Sequence, residues 1–317
     1  MEQAQNGRRL AVLVGCNYPD TRNELHGCYN DVLAMKELLK SERFGFEEDN
    51  IEIMTDKHGS SNMPTGVNIK KALSKMIDQA KPGDVLIFHY SGHGTLIDLN
   101  KSGHLYKKKK EEAIVPTDFN MITNLDFRNL VNRLPKGATF TIISDSCHSG
   151  GLIDKEKEQI GPSSDNNTTP EDVLSQKKKS KNIQFETVLE HLSSLTNINT
   201  QDMGTHLLEI FGADASIRFR EPNLEDAFKP LKEDEGILLS GCQANETSAD
   251  IEEDGGKRSY GAFSNAIQIV LKENPGPLSN RELVIKARNI LNKQHIEQHP
   301  CLYCSDENAN STFLSQA

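Results

Sequence analysis

Four short apolar, β-prone runs, Leu10 to Val14, Ile51 to Thr55, Val85 to Tyr90 and Thr139 to Ile143, are separated by stretches of helical periodicity. In the first stretch Leu25, Cys28, Val32, Met35 and Leu39 recur at three- and four-residue steps, which predicts an amphipathic helix closing near Glu42. In the second, Thr65 can cap a helix whose stripe is Ile69, Leu73, Met76 and Ala80, stopped by Pro82 and Gly83. Asn124 to Arg133 reads as a third helix, leading through Pro135 and Gly137 to the last run. Strands alternating with helices predict an α/β fold: a mainly parallel sheet with right-handed crossovers and helices on both faces.

Sheets of this kind keep their reactive groups just past the carboxyl ends of the strands. The third run ends in His89, Tyr90, Ser91, Gly92, His93 and Gly94, so a histidine sits between two glycines. The fourth runs on through Ser144, where the strand is expected to stop, into a tight loop with Asp145, Cys147, His148, Gly150 and Gly151. A thiol is a useful nucleophile only as thiolate and needs a neighbouring imidazole or dipole to reach that form. His93, 54 positions before Cys147, is the natural partner. The same spacing also fits Cys147 as a small buried apolar residue. His148 is a poorer base, because neighbours on an extended segment point apart.

Composition narrows the context. The chain has 317 residues, enough for a substantial core, and a formal charge of −10, which disfavours nucleic-acid binding. No run of about 18 apolar residues predicts a membrane span. The acidic amino terminus and the short run before Gly15 do not make a signal-peptide core, so a cytoplasmic protein is expected, with later release to an extracellular or acidic compartment left open. Cys16, Cys28, Cys147, Cys242, Cys301 and Cys304 are scattered through a long chain, which argues for free thiols. Cys16 and Cys242 read as core, and His299 with Cys301 and Cys304 supplies too few ligands for a closed zinc site.

Beyond the nucleophile loop the character changes. Residues 154 to 180 are rich in lysine and acidic side chains, carry SSDNNTT, and lack apolar periodicity until Ile183, so they read as an exposed linker. Thr95 to Lys110 reads as a polar loop. After the linker come helices at Phe185 to Leu195 and Met203 to Phe211, a strand at Gly236 to Gly241 and an acidic loop at Glu252 to Asp254. Helices at Ala262 to Leu271 and Arg281 to Leu291 and a short strand around Leu302 follow. Asp31, after a glycine-cysteine turn, and Asp145, two residues before the thiol, are carboxylates that would attract a cationic substrate side chain. Asp31 could equally cap a helix and Asp145 satisfy a loop amide.

FHYSGHGT (Phe88 to Thr95), SDSCHSGG (Ser144 to Gly151), GCYND (Gly27 to Asp31) and YGAFSNAIQ (Tyr260 to Gln268) resemble the caspase-like cysteine peptidases, in detail the plant type II metacaspases. The resemblance covers the whole chain, including an absent amino-terminal prodomain and the ending HPCLYCSD. It implies a large-subunit region at 1–153, a linker at 154–235 and a small-subunit region at 236–317, forming one catalytic domain and a monomer. It implies that Cys147 attacks the scissile carbonyl and His93 shuttles the proton. The backbone amides of Gly94 and Cys147 would hold the oxyanion. Asp31 and Asp145 fall on acidic S1 positions, implying protein or peptide substrates cleaved after Arg or Lys. Self-cleavage is implied near Lys181, with Lys179 the second choice, against the plainer reading of KKKSK as a solvated charge run. Cys28 is a candidate second thiol, with packing the plainer role. Glu111, Glu112 and Asp154 match some calcium positions of relatives, but four lysines precede the first two and an Asp-rich run is missing, so calcium-independent activity is expected. An asparagine-directed endopeptidase and a catalytically silent module binding basic segments are the alternatives.

Overall fold

A computed structural model of the chain describes residues 7–98, 110–153, 157–161, 177–221, 236–243, 246–253 and 257–315. The chain opens with β1 (Arg9–Gly15), α1 (Cys28–Lys40), β2 (Ile51–Thr55), α2 (Gly66–Asp78) and β3 (Val85–Ser91). Next come β4 (Gly94–Asp98), β5 (Lys110–Ile114), β6 (Ile122–Thr123), α3 (Asn124–Asn132) and β7 (Thr139–Asp145). The middle of the chain forms β8 (Glu158–Ile160), β9 (Lys177–Ser180), α4 (Phe185–Thr196), α5 (Met203–Phe211) and α6 (Ile217–Arg220). The last part supplies β10 (Ile237–Ser240), β11 (Ala249–Glu253), β12 (Arg258–Gly261), α7 (Ala262–Glu273), α8 (Asn280–Lys293), β13 (Cys301–Tyr303) and α9 (Asp306–Asn310).

Seven strands form the central sheet in the order β2-β1-β3-β7-β10-β13-β8. The first five run parallel, and β13 and β8 close one edge antiparallel. Side chains of a strand alternate between faces, and both faces are covered, so the parallel strands are apolar throughout instead of alternating with polar residues. Ala11, Leu13, Val85, Ile87, Ile143 and Leu239 pack with Val32 and Met35 of α1, Phe263 and Ile267 of α7 and Leu283 and Ala287 of α8. Leu10, Val12, Val14, Leu86, Phe88, Ile142 and Leu238 pack on the other face with Ile69 and Leu73 of α2 and Phe127 and Val131 of α3. The α/β layering matches the sequence reading, and Thr65 caps α2 by accepting the Asn68 amide.

Three readings of the sequence change. Gly94–Asp98 and Lys110–Ile114, expected within a polar loop or beside it, pair as antiparallel strands β4 and β5, while residues 99–109 lie outside the described ones. Glu252 and Glu253, expected in an acidic loop, end strand β11, which pairs with β12. Lys177–Ser180 of the supposed exposed linker form β9 on the edge of β11. Strand pairing uses backbone groups alone, so an all-polar strand gives no hydrophobic signal.

From Lys181 onward the chain is built into a third core. Ile97, Val115, Phe119, Ile183, Val188, Leu192, Met203, Leu207 and Phe219 are buried together between the β4–β5 region and α4 to α6. An ion pair ties this core to the small sheet: the Arg218 guanidinium of α6 clasps the Glu111 carboxylate of β5, and both side chains are almost fully buried. Removing one partner of such a pair strands the other charge, whereas replacing both with apolar groups does not. Arg218→Ala is therefore expected to cost about 3 to 5 kcal/mol in urea unfolding, and the Glu111→Met/Arg218→Met double variant far less.

Candidate active site

The parallel register brings the two candidate reactive residues together. Ser91 pairs with Asp145 across β3 and β7, and His93 and Cys147 each lie two residues further on. Neighbouring strands are about 4.8 Å apart, so residues at equal distance past a paired position emerge side by side. Close approach also needs Gly94 bare: a Cβ there would overlap the Cys147 carbonyl.

The Cys147 sulfur accepts the Ser248 amide at 3.0 Å and lies 3.8 Å from the Ser180 hydroxyl. Burial pushes this thiol up, but hydrogen bonding from Cys242, Ser180 and Ser248 and the charge of Lys181 outweigh it, and the net shift is downward. The Nε2 of His93 lies 2.6 Å from the Asn23 carbonyl. A carbonyl only accepts, so Nε2 carries the proton and Nδ1 is left with a free lone pair. Nδ1 is buried and, among the described residues, makes no hydrogen bond of good geometry. Burial lowers this imidazole to about 4, which keeps it in the neutral, proton-accepting form.

Lys181 lies in the middle of the site, fully buried, where the sequence reading put it in a solvated segment. Its ammonium is 2.9 Å from the Ser91 hydroxyl, 3.3 Å from Asp145 and 3.6 Å from Asp31. Its carbonyl accepts the Gly94 amide at 2.9 Å and lies 3.5 Å from the Cys147 amide. Its own amide donates to the Ser248 carbonyl, continuing the pairing of β9 with β11. The next residues leave along Gly94, whose carbonyl accepts the Ile183 amide.

The carboxylates themselves are held by the amino end of α7. Gly261 donates its amide to both oxygens of Asp31 at 2.9 Å, and the Ser264 amide donates to Asp145 at 2.8 Å. Orphan amides and the helix dipole favour negative charge there. Gly261 has to be glycine, since a Cβ would overlap both carboxylates and the ammonium. One cation between two buried acids leaves excess negative charge, and Asp31 is pushed up to about 7, by burial first and by Asp145, with Lys181 opposing. Burial disfavours the Lys181 charge, but Asp145, Cys28, Asp31 and Asp250 outweigh it and hold the ammonium charged.

The remaining candidates are elsewhere or otherwise engaged. Lys179 lies on exposed β9, its ammonium on the Glu24 carbonyl. Cys28 begins α1, fully buried near the pocket, and burial pushes its thiol well up, as suits packing. All six cysteines are free and buried. His148 is half-buried next to Cys147. Glu111 is clasped by Arg218, the Glu112 carboxylate accepts the Gly151 amide, and Asp154 lies outside the described residues. His299 pairs with Glu246, and among the described residues no three His, Cys, Asp or Glu side chains converge to hold a metal. Sequence reasoning did not single out Tyr18, Asn23, Ser91, Ser180, Cys242, Ser248, Gly261 and Ser264 as site residues. Ser91, Gly261 and Ser264 lay inside the motifs quoted for the resemblance and Ser180 inside KKKSK, while the others carry no local signal.

A mainly parallel α/β sheet with a cysteine and a histidine side by side at the carboxyl ends of adjacent strands defines the caspase-like class of cysteine peptidases. The Caspase domain family model matches residues 8–310. The chain is 60% identical to Metacaspase-9 of Arabidopsis thaliana over 99% of both chains, and 38% identical to Metacaspase-6 of the same plant over 96% of this chain and 99% of that one. A crystal structure of protein GSU0716 from Geobacter sulfurreducens shares the fold with TM-score 0.57 at 17% identity, covering 98% of this chain and 99% of that one. The chain belongs to the metacaspases, within the caspase-domain family. Among the described residues no helix is long and apolar enough to cross a membrane.

Two imidazoles buried beside the site make stability depend on pH. His89, whose Nε2 lies 3.0 Å from the Ser264 hydroxyl, is lowered to about 4 by burial, as His93 is. Between about 6.5, the ordinary histidine value, and 4 the unfolded chain binds protons that the folded chain refuses. Stability contributed by the neutral rings is thus present above about pH 6.5 and lost as pH falls toward 4. Asp31, pushed up to about 7, takes a proton in the folded chain over the same window and opposes this loss. The imidazole contribution is therefore read as a difference: between about pH 7 and 4 the urea midpoint of a Cys147→Ala protein should change less favourably than that of the same protein carrying His89→Gln, which cannot titrate there.

Proposed function

We propose that this metacaspase is an endopeptidase that cleaves after Arg or Lys, is made as a zymogen, and activates itself by cutting after Lys181. The observation that carries the reading is the double anchoring of Lys181: its ammonium lies between Asp31 and Asp145 while its carbonyl faces the amides of Gly94 and Cys147. A side chain held for its charge and a carbonyl aimed at two donors describe a bound cleavage site.

In this reading His93 takes the thiol proton of Cys147, and the sulfur adds to the Lys181 carbonyl carbon. The oxyanion that forms is held by the Gly94 and Cys147 amides. Collapse breaks the bond to Asn182, whose nitrogen leaves with the proton from His93. Water, deprotonated by the same imidazole, then hydrolyses the thioester and regenerates the thiol. An asparagine side chain carries no charge and would leave the two carboxylates uncompensated, which disfavours the asparagine-directed alternative. Because Lys179 is exposed two residues upstream, Lys181 is the favoured processing position.

A fluorogenic arginine or lysine peptide should be turned over by the self-cut protein and not by Cys147→Ala, and turnover by that variant would end the mechanism. Asp31→Asn and Asp145→Asn should each cut kcat/KM for such peptides by about 10² or more, since each strands a buried cation with one partner. Lys181→Gln should leave the chain intact on a gel, and persistence of the two-fragment pattern would refute the processing assignment.

We also propose that calcium is not required. Support comes from Glu111 and Glu112, whose carboxylates are engaged by Arg218 and the Gly151 amide and so are not open to a cation. Peptidase activity should survive a chelator within about twofold, on the ground that a hard cation needs several free oxygen ligands. Complete loss, restored by calcium, would overturn this.

A further inference from the structure

The backbone of His93 is gripped by two tyrosines. Its amide donates to the Tyr18 hydroxyl at 3.0 Å, and its carbonyl lies 2.9 Å from the Tyr90 hydroxyl and accepts the Val115 amide at 3.0 Å. The two hydroxyls are 3.1 Å apart and both reach the Val115 carbonyl, Tyr18 at 2.5 Å and Tyr90 at 2.9 Å; the shorter Tyr18 bond occupies that acceptor and leaves the Tyr90 proton to the His93 carbonyl. Both phenols are buried, Tyr18 2% and Tyr90 0% exposed. Side chains that only filled space would not need these hydroxyls, since a buried phenol costs free energy unless bonded, and phenylalanine packs as well. Glycine at position 92 makes room, since a Cβ there would crowd the Tyr90 hydroxyl.

The grip has a direct chemical consequence. The His93 carbonyl and the Gly94 amide are the two ends of one peptide unit, and that unit is planar. Holding the carbonyl oxygen on one edge therefore aims the N–H on the other, and that N–H points at the Lys181 carbonyl 2.9 Å away. Tyr18 acts on the imidazole as well. Its ring lies 4.7 Å from the His93 ring, and the same loop supplies the Asn23 carbonyl that fixes Nε2. The loop is pinned by Asp56, which accepts the amides of Asn17 and Tyr18 at 2.8 Å each, and Tyr18 is held there at φ 50°, in the left-handed region.

Resting on the peptidase reading above, we infer that Tyr90 and Tyr18 are positioning residues: Tyr90 aims the Gly94 oxyanion donor and Tyr18 sets the His93 base. Tyr90→Phe and Tyr18→Phe keep the rings and remove only the hydroxyls. On self-processed protein, two readouts separate positioning from general damage: kcat and KM for an arginine peptide, and the rate of Cys147 alkylation by iodoacetamide across pH. Alkylation reads the thiol–imidazole proton balance and does not use the oxyanion donors.

Tyr90→Phe should lower kcat about tenfold or more, leave KM within about twofold, and leave the alkylation profile unchanged. Tyr18→Phe should lower kcat by a similar factor and shift the alkylation profile along the pH axis. Unchanged kcat in both variants overturns the inference, as does a parallel loss of alkylation in Tyr90→Phe. If one variant does not fold, the other decides. If the wild-type protein cleaves no arginine or lysine peptide, the peptidase reading fails, and the Tyr18→Phe alkylation profile still tests whether that tyrosine sets the imidazole.

Discussion

An ammonium group cut off from water survives only where carboxylates and hydroxyls take water's place, and the fold around Lys181 is arranged to meet that demand. Asp31 comes from α1, Asp145 from the end of β7 and Ser91 from the end of β3. The two acids are in turn fixed by amides at the start of α7, far along the chain. Early and late segments must therefore both be assembled before the pocket exists. Each contact offsets part of a buried charge, so losing one throws its share of the compensation onto the others.

That electrostatic anchor also sets the path of the backbone. With its side chain fixed and β9 paired to β11, the chain has little choice but to lay the Lys181 carbonyl against Gly94 and Cys147. On the far side of this point Ile183 and α4 to α6 are buried in the third core. The segment is thus held at both ends, by charge in the pocket and by apolar contact beyond it. A short peptide lacking the second attachment would give up that apolar contribution.

Much of this could be read from the residues. The apolar runs and the helical stripes forecast the parallel sheet and its layers, because strand and helix periods are local properties. The glycine-flanked His93, the Cys147 loop and the acids Asp31 and Asp145 stood out because their chemistry is unusual where it falls. Strand β9 was not legible, since pairing between backbones leaves no mark on polar side chains, and β4 and β11 carry too few apolar residues to show a strand period. Tyr18, Asn23 and Ser248 were missed for a related reason: they act through a phenol, a carbonyl and an amide that any loop could carry.

Lys181 shows most clearly where local information ends. By itself the sequence determined a lysine-rich segment after a cysteine loop, and only the family resemblance, not any local chemistry of KKKSK, set the last lysine ahead of the three before it. Tertiary structure decided that this one is buried between two carboxylates while its neighbours stay in solvent. The reason is physical: periodicity and composition report free energies a segment carries alone, whereas a buried charge is stabilised only by partners brought from α1, β3, β7 and α7.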